Sequence, residues 1–217
     1  MSLNTNFDAT GNVVQKDNRM IAGILVVVAI VGLAFALVSK RWLANSRGRN
    51  EMGFGLLSFS ACIEGMGSYS DAELRSREPL EPKCVDRSNS SVVDEIKANH
   101  GEASGAFPIF GYITLGAIAV TLLGLLGSLP LAFGKKEKAA VLLHKFPMAP
   151  TTLALLAMTV ALITGCVFVA TKPGGVGAVG VGWGFWAFAV AIITGMLGAI
   201  MIAKGLAAKA ADAEWQA

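Results

Sequence analysis

The sequence predicts an all-α transmembrane four-helix bundle that carries a small disulfide-pinned extracellular β-sheet. Four apolar runs contain no charged residue, and each is long enough to cross a hydrocarbon core, which takes about 20 helical residues. One polar segment, residues 39–106, separates the first two runs and holds two of the three cysteines. With 54% apolar and 15% charged residues, the composition is also too hydrophobic for an ordinary soluble domain.

The apolar runs set the domain organisation. The predicted spans are residues 20–38, 107–133, 148–170 and 176–203. Residues 1–19 and 204–217 are then terminal tails, and residues 20–203 form one membrane domain with 39–106 as its sizeable outer loop. Lys16 precedes the first run, which allows a secretory signal as an alternative. A run of this length exceeds the roughly 7–15 residues of a signal core, so a retained span is favoured.

Lys and Arg in the short loops predict the orientation, because cytoplasmic loops are enriched in these residues. The loop between the second and third spans is rich in lysine, whereas the loop between the third and fourth holds only Lys172. Both termini are therefore predicted to be cytoplasmic, in a plasma membrane or a bacterial inner membrane. Lys40 and Arg41 argue for the opposite orientation, but long loops translocate largely regardless of charge.

The cysteines predict one cross-link. Cys62 and Cys84 lie in the outer loop, where an oxidising compartment permits a disulfide, whereas Cys166 lies in the third span. Such a bridge is worth about 3 kcal/mol by the chain-entropy estimate, in a segment too small for a large core. Two free thiols remain an alternative. Metal binding is disfavoured, because His100 is the only nearby imidazole and no ligand spacing is met.

Three stretches of the outer loop suggest a small sheet seated on the helix ends. Residues 53–62 alternate roughly as a strand does, and residues 65–82 are interrupted by Gly and Pro. Residues 91–97 suit either a short helix or a strand.

The residues that flank the spans follow a recognisable order. Trp42 comes just after the first span, followed by Gly55-Leu56-Leu57 and then by Cys62 and Cys84, and the fourth run carries Gly182-Trp183 near its start. This order resembles the claudin superfamily, which includes the peripheral myelin proteins and calcium-channel gamma subunits. The family signature is a Trp outside the first span, then Gly-Leu-Trp, then two disulfide-bonded cysteines. A Gly-Trp pair opens the family's last helix.

The resemblance covers most of residues 20–203 and implies a distant member of the superfamily. Leu57 stands where the family usually has Trp, and the cysteines are farther apart than in claudins proper. The chain also ends in Glu214-Trp215-Gln216-Ala217 instead of the common scaffold-binding ending. The resemblance implies that Trp42 packs beneath the outer sheet; by itself, the position of Trp42 and Phe107 suggests interface anchoring.

Small residues at helical spacing predict how the spans pack, because lipid gives apolar helices no hydrophobic drive to associate. The stripes in the third and fourth spans are Ala157, Ala161, Gly165, and Ala187, Ala191, Gly195, Ala199; the second span carries Gly116, Gly124 and Gly127. The favoured interpretation is contact within the bundle. Contact with another subunit is the alternative.

Several kinds of chemistry are not indicated. The spans contain no charged side chain, which disfavours a transporter or proton relay. His100 and His144 belong to no metal or triad motif, so no catalytic, cofactor-binding or metal site is expected, and the protein is not expected to be an enzyme. The net charge of +3 is small and is not concentrated in a basic stripe, which disfavours nucleic acid as a partner. Asn89-Ser90-Ser91 is a glycosylation acceptor if the chain follows a eukaryotic secretory route.

The sequence thus leads to a non-enzymatic four-span protein whose partners are the lipid bilayer and other integral membrane proteins or copies of itself. An accessory or structural subunit of a larger membrane complex, acting through its helices and outer loop, is favoured. The alternative is a claudin-like adhesion or barrier protein that assembles with itself. An ion-conducting pore is less favoured, because the spans offer no polar lining.

Overall fold

A computed structural model describes residues 19–47, 50–63, 83–100, 105–133, 149–173 and 179–214 of the chain. Within these ranges the helices are α1 Arg19–Val38, α2 Asn89–His100, α3 Ala106–Phe133, α4 Ala149–Ala170 and α5 Trp183–Glu214. The strands are β1 Leu43–Arg47, β2 Asn50–Phe54, β3 Ser58–Ile63, β4 Lys83–Ser88 and β5 Gly180–Val181.

Four of the helices are long and apolar enough to cross a membrane, which confirms the four predicted spans. They comprise Met20–Val38, Ala106–Phe133, Ala149–Ala170 and Trp183–Gly205. The last one begins later than the predicted start at residue 176. The backbone of Gly180–Val181 is taken up by pairing with β1, so the helix starts only beyond this strand.

The spans pack as two close pairs, α1 with α5 and α3 with α4, and contacts of α1 with α3 and of α4 with α5 complete the bundle. Small residues lie at the closest approaches. A Cβ built on Gly32 would lie 2.8 Å from that of Ala191, and one built on Gly124 would lie 2.9 Å from that of Ala154. A Cβ built on Gly195 would be equally close to its surroundings, at 2.9 Å from the sulfur of Met158.

The other residues of the predicted stripes differ in their burial. Ala161 and Ala199 are fully buried, Ala157 and Gly165 are buried, and Ala187 is half-buried. The stripe of the second span is not one continuous contact. Gly124 faces α4 and Gly127 approaches Pro150, but a Cβ on Gly116 would meet nothing within 4 Å.

Enlarging the buried small residues of α5 should disrupt the bundle. We expect Ala191→Leu and Gly195→Leu each to cost about 1–3 kcal/mol, because the added atoms meet α1 or Met158. Val190→Leu is the matched control, since Val190 is 57% exposed. Thermal unfolding of the detergent-solubilised protein measures the difference. Equal stability of the three variants would contradict this packing.

Hydroxyls inside the spans bond to their own helix, as Ser and Thr commonly do. Thr121 donates to the carbonyl of Ala117 at 2.8 Å, and Ser128 donates to that of Leu125 at 2.7 Å. Thr114 also bonds across helices, with the hydroxyl of Thr164 at 3.0 Å. These buried polar groups are therefore satisfied within the bundle.

The strands form one antiparallel sheet with the order β4-β3-β2-β1-β5, at the end of the bundle where α1 and α4 finish and α3 and α5 begin. The prediction of a single strand over residues 53–62 is wrong. This stretch is a hairpin that turns at Gly55-Leu56-Leu57, with Phe54 opposite Phe59. The undecided stretch 91–97 lies in α2, whose start is capped by Ser88, which accepts a hydrogen bond from the backbone of Ser91 at 3.2 Å.

The predicted disulfide is present. Cys62 and Cys84 face each other in the β3–β4 register, with their Cα atoms 4.0 Å apart, and their sulfurs are bonded. Cys166 is a free, exposed cysteine on α4. The bridge ties the edge strand β4 to its neighbour β3.

Removing the bridge should weaken the sheet without additivity. We expect Cys62→Ser and Cys84→Ser each to lower the free energy of unfolding by about 2–3 kcal/mol. Without the bridge, the unfolded chain between the two cysteines has more conformational entropy, and this favours unfolding. The double variant should be no less stable than either single variant, since each already lacks the bond. Non-reducing gel mobility and thermal unfolding together measure this, and additive losses would speak against the bridge.

Candidate interaction site

The two faces of the sheet have different surroundings. Residues opposite each other in an antiparallel register share a face, which puts Leu43, Phe54 and Phe59 on one side. These side chains are buried, as are Val92 and Val93 of α2. The opposite side, which we call the open face, carries residues that are small or polar. It includes Ala44, Glu51, Gly53, Ser60, Cys62, Cys84 and Asp86.

Trp42 fixes the sheet to the helices. It is fully buried, and its indole N–H donates to the carbonyl of Ala36 in the last turn of α1 at 2.7 Å. Its backbone N–H bonds to Phe54 of β2. The interpretation of Trp42 and Phe107 as interface anchors is therefore wrong, because both are 0% exposed and pack inside the protein.

Around Trp42 an aromatic cluster links the sheet to three of the spans. Its members are Trp42, Phe54, Phe59, Phe107, Phe168, Phe185 and Phe188. The ring centroids of Phe107 and Phe168 are 4.4 Å apart, and those of Trp42 and Phe188 are 4.8 Å apart. Aromatic pairs at such distances add to the stability of a core beyond their area, so the cluster helps to hold the sheet on the bundle.

The turn at Gly55-Leu56-Leu57 is held by Asn89, the first residue of α2. Its side-chain amide donates to the carbonyls of Gly55 and Leu56 at 2.9 and 3.0 Å, and its backbone N–H donates to Leu57 at 3.0 Å. Asn89 is 1% exposed. A glycan on this amide nitrogen is incompatible with the packing, so the acceptor triplet plays a structural part in this fold.

Two glycines at the start of α5 allow the backbone of residues 41–42 to pass close to this helix. The backbone N–H groups of Gly182 and Gly184 donate to the carbonyls of Trp42 and Arg41 at 2.8 and 2.9 Å. A Cβ on Gly182 would lie 2.2 Å from the carbonyl oxygen of Arg41. Glycine is needed here because another backbone approaches so closely. Trp183, which follows, is 78% exposed.

The open face borders a cavity of about 590 Å³, which we call the polar groove. Its lining includes Arg41, Asn45, Glu51, Ser60, Trp183 and Trp186. The Arg41 guanidinium forms an ion pair with the Glu51 carboxylate. Both side chains are about half exposed, so the pair adds little stability and stays accessible to a ligand.

A second cavity lies directly below, between α1 and α5, and has a volume of about 520 Å³. We call it the apolar groove. It is lined by Val28, Gly32, Phe35, Trp183, Trp186, Ala187, Val190 and Ala191. Trp183 and Trp186 line both grooves.

Sequence reasoning found part of this arrangement. Trp42, Gly55 and Gly182 were singled out by the resemblance, and the structure places each at a junction between sheet and helices. Asn89 and the pair of Arg41 with Glu51 were missed as a site. A Ser-Asn-Ser-Ser stretch ahead of an amphipathic segment is a helix-start signal, but it does not reveal that the asparagine is buried.

The fold and composition define the class: the chain is a multi-pass integral membrane protein with four spans and a small disulfide-bonded antiparallel sheet at one end. Comparison with known families finds no model that matches the sequence, and comparison with curated proteins finds no significant match. Among the described residues, no group of three His, Cys, Asp or Glu side chains is placed to hold a metal ion.

Proposed function

We propose that the protein is a distant claudin-like, non-enzymatic structural subunit, which uses its sheet and helices to bind another integral membrane protein. The observation that carries the proposal is the attachment of the sheet to the bundle by the hydrogen bonds of Trp42 and Asn89. A pre-organised surface loses little conformational freedom on binding, so it suits recognition.

The chemistry of the open face agrees with such a role. It offers paired charges, Lys40 with Asp86 at 2.8 Å and Arg41 with Glu51, beside the two exposed tryptophans of α5. Exposed aromatic residues next to satisfied polar groups are common at protein interfaces. The four predicted spans hold no charged side chain, which favours a structural role over transport.

Family membership is part of the same proposal. It is supported by the positions of the signature residues at junctions between the sheet and the helices: Trp42 in the aromatic cluster, Gly55 at the turn and Gly182 against the backbone of Arg41. Leu57, at the position where the family usually has Trp, is 36% exposed at the tip of that turn.

Self-assembly is the second candidate. Among the described strands, β4 pairs only with β3, so its other side forms one edge of the sheet. An edge strand is able to pair with the same strand of another copy. This supports an adhesion or barrier role in which copies associate through their sheets.

One purification separates the candidates. The tagged full-length chain is isolated from its native membrane in mild detergent, and the retained proteins are identified by mass spectrometry. We expect a stoichiometric, unrelated integral membrane protein. Asp86→Arg, which puts a bulky cation on the open face outside the polar groove, should lower its recovery, whereas Asn99→Arg on the exposed side of α2 should not. Recovery of copies of the chain alone would support self-assembly, and recovery of no protein would overturn both.

A further inference from the structure

Two grooves of opposite chemistry meet at Trp183 and Trp186. The apolar groove exposes almost no polar surface, and the polar groove contains a cation and an anion. Both volumes lie in the range of small-molecule sites, roughly 300–1,000 Å³. A ligand that fills both therefore needs an apolar part joined to a charged part.

The apolar groove reaches down to about the middle of the bilayer. On α1 it extends from Val28 to Phe35, and this helix ends at Val38 beside the sheet. At a rise of 1.5 Å per residue, Val28 lies about 15 Å below the helix end, which is half of a hydrocarbon core of about 30 Å. The groove thus lies among the acyl chains of the leaflet on the sheet side.

The shape of the groove arises from the closest contact of α1 with α5. Gly32 and Ala191 form its floor, because a Cβ on Gly32 would lie only 2.8 Å from that of Ala191. Phe35 and Val190 rise on either side and are 54% and 57% exposed. In the part of the chain that the structure describes, no helix covers the apolar groove.

The charges of the polar groove identify the head group. Among the residues that the structure describes, Arg41 and Glu51 are the only ionisable side chains in its lining, and their charges cancel. A guanidinium binds phosphate through two parallel hydrogen bonds, and a carboxylate accepts hydrogen bonds from an ammonium group. A zwitterionic head group matches this pair, whereas an anionic one leaves Glu51 facing like charge. The indoles of Trp183 and Trp186 stand between the two regions, as tryptophans do at a membrane interface.

We propose that these grooves form a binding site for one zwitterionic phospholipid. One acyl chain lies in the apolar groove between α1 and α5, the phosphate contacts Arg41, and the ammonium contacts Glu51. This site does not depend on the proposed partner.

The test uses the full-length protein in nanodiscs made of equal parts phosphatidylethanolamine and phosphatidylglycerol, with native mass spectrometry of the released protein. We expect one retained phospholipid, with phosphatidylethanolamine enriched about fivefold, a ratio that a single charge-assisted contact supplies. Val190→Trp fills the apolar groove and should abolish retention. Gly116→Trp places the same side chain in open space on α3 and should leave retention unchanged.

Glu51→Gln tests the head group separately. It leaves Arg41 as the only charge in the lining, so the preference should shift towards phosphatidylglycerol. The proposal is overturned if the wild type retains no lipid, or if a co-purifying protein segment fills the groove instead. It is also overturned if Val190→Trp retains as much lipid as Gly116→Trp, or if Glu51→Gln leaves the preference unchanged.

Discussion

Gly111→Ala is expected to destabilise the protein by about 3 kcal/mol or more, although alanine favours helices over glycine by about 1 kcal/mol. A Cβ on Gly111 would lie 2.2 Å from the carbonyl oxygen of Leu56 and 3.3 Å from the ring of Phe168. The oxygen belongs to backbone that Asn89 holds in place, so it cannot move without breaking a hydrogen bond. The first turns of α3 must therefore separate from the sheet.

Gly116→Ala is the matched control on the same helix. Nothing lies within 4 Å of its added Cβ, so this variant should be as stable as the wild type or slightly more so. Thermal unfolding of the solubilised protein, followed by tryptophan fluorescence, compares the two. Similar midpoints for both variants would mean that α3 does not approach the turn as closely as described.

The spans could be predicted because their signal is local. A charge-free run long enough for the bilayer leaves few alternatives, and all four predicted runs contain a spanning helix. The disulfide was equally accessible, since the outer loop holds only Cys62 and Cys84. The start of α5 was misplaced because Val181 is apolar and its pairing with β1 is a long-range event that hydropathy does not report.

The outer loop was less predictable, because its structure depends on contacts between distant residues. The alternation over residues 53–62 continues through Gly55-Leu56-Leu57, and nothing local reveals that the chain reverses there. The reversal is stabilised by Asn89, more than 30 residues later. The close approaches of Gly111 and Gly182 to other backbone segments are also tertiary facts, visible in sequence only as glycines.

Asn89→Ala is expected to lower the free energy of unfolding by about 4 kcal/mol, because it removes the hydrogen-bond donors for two carbonyls of the turn between β2 and β3. Each buried acceptor left without a partner costs about 1–3 kcal/mol, and the loss of side-chain volume adds to this. The Oδ1 atom of Asn89 has no hydrogen-bond partner among the described residues, so the loss arises on the donor side. Asn89→Asp should be at least as damaging, since it places a carboxylate against the carbonyls of Gly55 and Leu56.

Asn99→Ala on the exposed side of α2 is the control and should change stability by less than about 0.5 kcal/mol. Expression of the wild type in a eukaryotic host tests the burial of the acceptor triplet, because no glycan should be attached at Asn89. A wild-type protein that is glycosylated there and still folds would show that the amide is exposed.

The Asn89 amide donates to the same Leu56 carbonyl that Gly111 of α3 contacts. Loss of the amide should therefore also release the contact at Gly111. The Asn89→Ala and Gly111→Ala effects should then combine to less than their sum, as expected for two changes that break one junction.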